Sequence, residues 1–294
     1  MKLWFFLVHC LLITGGMFAT PLKVTVTLEP QRYLVEKIGG NRVQVHVMVP
    51  SGKNPHTYEP LPSQMVELSR SSVWFTIGLE FETQLVNRIQ KSYHNLQIVD
   101  TSQGIKKRSL LEHEIPSHHE AGEDHEEHED RVGAPDPHIW MSLRLATLQA
   151  KTILDKLSSL DPEGKEIYEK NYSQLIQKLQ NLDNEIRQQL NRHRGKTFFI
   201  YHPVLGYFAD DYGLIQQSIE IEGKEPSSRQ IHALVQKAKQ QKVKVIFVQQ
   251  GFSQKSAQAI AKAIGGKVVE INPLDYNYET MIKKISQTLI GAWQ

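Results

Sequence analysis

Cysteine is nearly absent: the 294-residue chain has one, Cys10. It lies inside the N-terminal apolar run, preceded by Val8 and His9 rather than by the small residues of a lipid-attachment site. If that run is removed on export, no thiol remains. Disulfides, thiolate metal sites and cysteine nucleophiles are then excluded together. Net charge is also lacking. Thirty-four Lys and Arg against 32 Asp and Glu leave +2, which gives no reason to expect nucleic acid or an anionic membrane surface as the main partner. The apolar run Leu3 to Ile13, interrupted by His9 and Cys10, falls well short of the ~20 residues that span a bilayer. With Lys2 before it and Gly15, Gly16 and Ala19 after it, the run reads as a cleavable signal peptide over residues 1–19. The cut is expected after Ala19, although Met17 occupies a position where a small residue is preferred. Export to the periplasm follows.

The remainder is globular in composition, 40% hydrophobic and 22% charged, and long enough for two lobes with a core in each. Lys23 to Leu28, Arg42 to Val49 and Val73 to Ile77 read as strands, the second with Val43, Val45, Val47 and Val49 on one face. Ser51 to Pro62 is a proline-rich loop, and Ser63 is the expected N-cap of the helix after it. From Leu143 the pattern turns helical. Asp161-Pro162 starts a new helix, with Asp161 as its expected N-cap. Tyr168, Tyr172, Leu175, Leu179, Leu182, Ile186 and Leu190 recur at helical spacing until Gly195. Such a helix, roughly 45 Å long, outgrows one lobe and is expected to join two. Thr197 to Tyr201, Val243 to Val248 and Lys267 to Ile271 are further strands, alternating with helices over Ser227 to Gln241, Ser253 to Ala263 and Tyr278 to Ala292. Gly265 suits a helix C-terminus. The fold class is α/β: two lobes, each a mostly parallel sheet flanked by helices, joined by a long rigid backbone helix, with a cleft between them. The N-terminal lobe is expected over 20–141, a helical segment over 142–195 and the C-terminal lobe over 196–294.

Histidine is what the chain has in quantity, with 13 residues. Five of them (His113, His118, His119, His125 and His128) stand among nine acidic residues between Glu112 and Asp130. That segment has almost no apolar content, so it reads as a mobile loop able to hold several zinc ions weakly. Three other histidines are braced by proline: His56 in Asn54-Pro55-His56-Thr57-Tyr58-Glu59-Pro60, His138 in Asp136-Pro137-His138-Ile139-Trp140, and His202 in Tyr201-His202-Pro203. Proline stiffens such loops, and His202 stands at a strand end, where open α/β sheets bind ligands. Three neutral imidazoles suit zinc and leave one coordination position open. His46, His94, His193 and His232 carry no such context and read as structural or solvated.

These motifs resemble the metal-specific substrate-binding proteins of ABC importers, the helical-backbone metal receptors. The match covers Asn54 to Pro60, Asp136 to Trp140, Tyr201 to Phe208, Glu225-Pro226-Ser227, Val245 to Gln249 and Asn272-Pro273-Leu274, with Ser253 opening the helix between the last two. The resemblance implies a monomeric, non-enzymatic receptor with the two-lobed fold. It implies that His56, His138 and His202 bind Zn²⁺ between the lobes and that the ion is handed to an ABC transporter permease. Manganese-type members carry glutamate at His202 and aspartate at Asn272, so both departures favour zinc. Gln249 stands where many relatives have glutamate. Water is the preferred fourth ligand, with Asp275 and Glu59 as alternatives. The competing readings are a manganese or iron receptor or metal-dependent adhesin on the same fold, and a zinc hydrolase. The last is weakened because His125-Glu126-Glu127-His128 is one residue short of the metalloprotease helix pattern.

Overall fold

The computed structural model describes residues 20–110, 134–220 and 223–293. The expected signal peptide and the histidine–acid segment lie outside them. Two four-stranded sheets carry the molecule. The first contains β1 (Leu22–Val26), β2 (Val43–Val47), β3 (Val73–Thr76) and β4 (Gln97–Asp100) in the order β2-β1-β3-β4. The second contains β5 (Thr197–Ile200), β6 (Ile215–Ser218), β7 (Val245–Gln249) and β8 (Lys267–Ile271) in the order β6-β5-β7-β8. Every pairing is parallel, with Val24 opposite both Val45 and Val73, and Ile200 opposite both Ser218 and Phe247. Parallel pairing requires crossovers, and helices supply them. In the first lobe these are α1 (Glu29–Gly39), α2 (Pro62–Ser69) and α3 (Glu80–Ile89). Next come α4 (Leu143–Leu160) and α5 (Lys165–Leu190). The second lobe adds α6 (Gly206–Tyr212), α7 (Ser228–Gln240), α8 (Lys255–Ala263) and α9 (Tyr278–Ala292).

The long helix is present as α5. Tyr168, Leu175, Leu179, Leu182, Ile186 and Leu190 bury one stripe of it. It lies against α1 and α4 and also against α9 of the second lobe, where Lys283 reaches Glu185 at 2.7 Å. One contiguous apolar cluster therefore runs through both lobes, from Val24 and Phe75 to Phe247 and Leu289. A second, smaller cluster lies under α7 and α8. A shared core makes the junction stiff, since packed interiors deform little.

Several local expectations shift. Leu61, not Ser63, precedes α2, because Pro62 takes the first helical position. Gln64 then satisfies the Leu61 N–H at 2.9 Å. Asp161 takes the expected N-cap position, before a short 3-10 turn (Pro162–Gly164) that leads into α5, but its side chain makes no capping hydrogen bond. Its carboxylate instead takes two 2.7 Å hydrogen bonds from Arg42 and one from Tyr168, and Arg42 holds its pKa down at about 2. β2 stops at Val47 and its valines are only half-buried, as is His46, because β2 is an edge strand. Ser227, expected as the first residue of its helix, instead caps α7, its hydroxyl accepting from the Gln230 N–H at 3.4 Å. Gly265, just past α8, has φ +63, the left-handed geometry that ends helices. α1, α3, α6, β4 and β6 were not individually expected. β6 reads Ile-Gln-Gln-Ser and shows no alternation of apolar residues.

Candidate metal centre

Each lobe delivers ligand atoms to the cleft at the carboxyl ends of its strands. His56 rides on the loop between β2 and α2, where Asn54 Oδ1 accepts the His56 N–H at 2.9 Å and buried Pro55 fixes the backbone between them. Gln64 braces this loop from below, taking a 2.6 Å hydrogen bond from the Tyr58 hydroxyl and donating to the Met48 carbonyl at 2.5 Å. His138 opens a 3-10 turn (Ile139–Met141). Trp140 in that turn donates to the Pro273 carbonyl at 3.0 Å, and Tyr278 donates to the Trp140 carbonyl at 2.6 Å, so the turn is fixed to the second lobe. His202 follows β5. Its N–H donates to Gln249 Oε1 at 3.2 Å and its carbonyl accepts from the Gln249 amide. Gln249 ends the neighbouring strand β7, which places the pair where the strand order reverses.

The three imidazoles converge. His138 Nε2 lies 3.1 Å from His56 Nε2 and 3.1 Å from His202 Nε2. One nitrogen from each ring falls within 4.8 Å of the others, and no other group of three or more histidines and carboxylates meets that condition among the described residues. Glu59 and Asp275 are outside the cluster. Glu59 is exposed, and Asp275 Oδ1 accepts the Asn277 N–H at 2.8 Å. His46, His94, His193 and His232 are outside it as well; His193 is buried and stacks on Trp293 with ring centroids 5.1 Å apart.

Two carboxylates that sequence reasoning passed over set the tautomers. Asp136 Oδ1 lies 2.7 Å from His138 Nδ1, and Glu220 Oε1 lies 2.5 Å from His202 Nδ1. All four groups are buried. A carboxylate only accepts, so each Nδ1 carries the proton and each Nε2 presents a lone pair. Two lone pairs facing each other at 3.1 Å repel unless a cation lies between them. Three nitrogens on a tetrahedral zinc lie about 3.3 Å apart, from a Zn–N bond of about 2.05 Å. The cluster therefore has the spacing and the polarity of a half-assembled zinc shell, and the two carboxylates behind it balance a dication. Asp136 stood in the proline-braced motif itself. Glu220 gave no signal, being 18 positions from its partner.

Burial favours the neutral imidazole at His56 and His138. Desolvation holds His56 well below the ordinary 6.5, with His202 and His138 acting in the same direction. Desolvation also lowers His138, against the opposing pull of Asp136. Arg108 touches Asp136 at 3.4 Å and reaches Asp210 of α6 at 3.0 Å, tying the His138 support to the second lobe. A Cβ at Gly206 would meet that guanidinium at 1.6 Å, so only glycine leaves room for it. The cavity at the cluster measures ≈ 20 Å³, enough for one ion or water. Pro55, Trp140, Val204, Phe252, Pro273 and Leu274 make its walls mostly apolar, and Phe252 stacks on the His202 ring at 4.9 Å.

Comparison with known proteins agrees over most of the chain. Residues 24–292 match the family described as zinc-uptake complex component A, periplasmic (ZnuA). The high-affinity zinc uptake system protein ZnuA of Bacillus subtilis (strain 168) is 34% identical over 262 residues, covering 86% of this chain and 79% of that protein. The manganese ABC transporter substrate-binding lipoprotein PsaA of Streptococcus pneumoniae is 29% identical over 255 residues, covering 82% and 76%. Among solved structures, a ZnuA crystal structure superposes with a TM-score of 0.82 at 36% identity, covering 92% of this chain and 99% of that one. A zinc-bound ZnuA deletion mutant gives 0.81 at 35% identity, covering 92% and 98%.

Proposed function

The chain belongs to the ZnuA family of zinc-uptake components, and from that premise we propose that His56, His138 and His202 capture one Zn²⁺ ion in the cleft. The protein is a zinc-binding receptor for ABC-type uptake, acting outside the cytoplasmic membrane. The periplasm is its proposed location, and its partner is a membrane permease that takes the ion from the cleft. The observation that carries the site is the convergence of three Nε2 atoms, two of them held as acceptors by buried carboxylates. Zinc is favoured over manganese because the cluster offers imidazole nitrogen and no carboxylate oxygen among the described residues. Water completes the coordination, since neither Glu59 nor Asp275 joins the cluster. The histidine–acid segment 112–130 supplies additional weak sites. Competition against a zinc chelator tests the assignment. The wild-type protein binds one ion tightly, and His202→Ala weakens binding by orders of magnitude. Retention of wild-type affinity by His202→Ala would overturn it.

A further inference from the structure

Two polar side chains from opposite lobes meet at the rim of the histidine cavity. Ser51 lies on the loop after β2, and Asn272 directly follows β8. Asn272 Nδ2 donates to Ser51 Oγ at 3.1 Å. The Leu274 N–H donates to Asn272 Oδ1, also at 3.1 Å. That second bond fixes the amide so that its NH₂ group faces Ser51. Beside this pair the backbones themselves touch. Gly251 has φ +86, and a Cβ there would lie 2.6 Å from the Gly52 carbonyl oxygen. Asn272 and Gln250, the latter facing Gly52, both line the cavity. The segment held down in this way is the one that carries His56.

His56 is also the least secured of the three histidines. Part of its surface is exposed, whereas His138 and His202 are buried. Each of those two has a carboxylate on Nδ1, and no hydrogen bond to His56 Nδ1 forms among the described residues. Elsewhere the lobes share a continuous apolar core through α5, so parting them wholesale would expose much apolar surface. Lifting the His56 loop instead breaks one side-chain hydrogen bond across the lobes and the local contacts of Gly52 with Gly251 and Gln250, of Pro55 and of the His56 ring with His202.

We propose that the Ser51–Asn272 hydrogen bond and the Gly52–Gly251 contact form a latch that sets the rate at which zinc leaves. The latch holds the His56 loop against the second lobe, and release begins with His56 lifting away. Asn272 thus acts as a clasp and not as a ligand, because its amide is committed to Ser51 and Leu274. This inference rests on the zinc-receptor reading above.

Stopped-flow transfer of Zn²⁺ to excess fluorescent chelator measures the off-rate. Ser51→Ala releases zinc roughly fivefold faster, as expected for loss of one exposed hydrogen bond, and Asn272→Ala, which also loses the bond from the Leu274 N–H, releases it at least as fast. Gly251→Ala, which drives a methyl group against Gly52, releases it at least as fast. Ser51→Thr keeps the hydroxyl and keeps the wild-type rate. The melting temperature of metal-free Ser51→Ala stays at the wild-type value, because Ser51 is exposed. A wild-type off-rate in Ser51→Ala or Asn272→Ala overturns the latch, as does equal acceleration in Ser51→Thr and Ser51→Ala. A wild-type protein that binds no zinc, or tight binding that survives His202→Ala, overturns the receptor reading instead.

Discussion

Asp136 Oδ1 accepts two hydrogen bonds from the same residue, one from the His138 backbone N–H at 2.9 Å and one from its ring Nδ1–H at 2.7 Å. A single carboxylate oxygen thus fixes both where His138 sits and which nitrogen it offers to the cleft. Glu220 does the second of these tasks for His202 from a different loop. Asp136→Asn and Glu220→Gln are each expected to weaken zinc binding by about 10- to 100-fold, the usual effect of removing the partner behind a metal-bound histidine. Chelator competition titrations check this. Unchanged affinity in both variants would mean that the carboxylates only support the fold.

Glu59 and Asp275 are expected to behave differently. Both lie outside the cluster, and Asp275 is engaged by the Asn277 N–H. Glu59→Ala and Asp275→Ala should each leave zinc affinity within about tenfold of wild type, a change of ~1.4 kcal/mol or less. A zinc-bound crystal structure with either carboxylate on the ion would refute the water-completed site.

Acid should act on stability and on binding over different ranges. The folded protein holds His56 well below 6.5 and lowers His138 as well, mainly through burial. In the unfolded chain the same groups take up protons near ~6.5. Below that pH the unfolded state binds more protons than the folded one. The stability of the metal-free protein is therefore full above about 6.5 and is lost as pH falls from there toward the folded-state values. At His56 and His138 protons therefore compete with zinc only near those lower values. As far as these two ligands govern it, affinity should hold from neutral pH to below 6.5 and then drop. Thermal melts and chelator competition across about pH 5 to 8 separate the two curves. An affinity loss centred at or above 6.5 would contradict the effect of burial.

Removing residues 112–130 should leave the tight site intact. The chain on either side is already joined: Leu110 donates to the Ala134 carbonyl at 3.0 Å, and Ser109 pairs with Pro135 in an antiparallel bridge. A short linker can therefore close the gap without moving Asp136. Calorimetry on the deleted protein should show one tight zinc ion and no weak ones. Loss of the tight ion would place a ligand in the deleted segment.

The sequence by itself determined the two-lobed α/β architecture, the long joining helix and the three histidines. Each of these is written locally. Alternating apolar residues mark β1, a 26-residue apolar stripe marks α5, and proline stands next to His56, His138 and His202. Strands such as β6, with two glutamines in four residues, were not legible, because pairing with β5 and not side-chain pattern holds them in place. The tertiary structure alone decided how the site is finished. It brought Glu220 to His202, placed Arg108 between Asp136 and Asp210, kept Glu59 and Asp275 away, and set Asn272 against Ser51. Those relationships join residues far apart in the chain. They are fixed by how the helices of both lobes pack on one shared helix, and nearest-neighbour chemistry does not encode that packing.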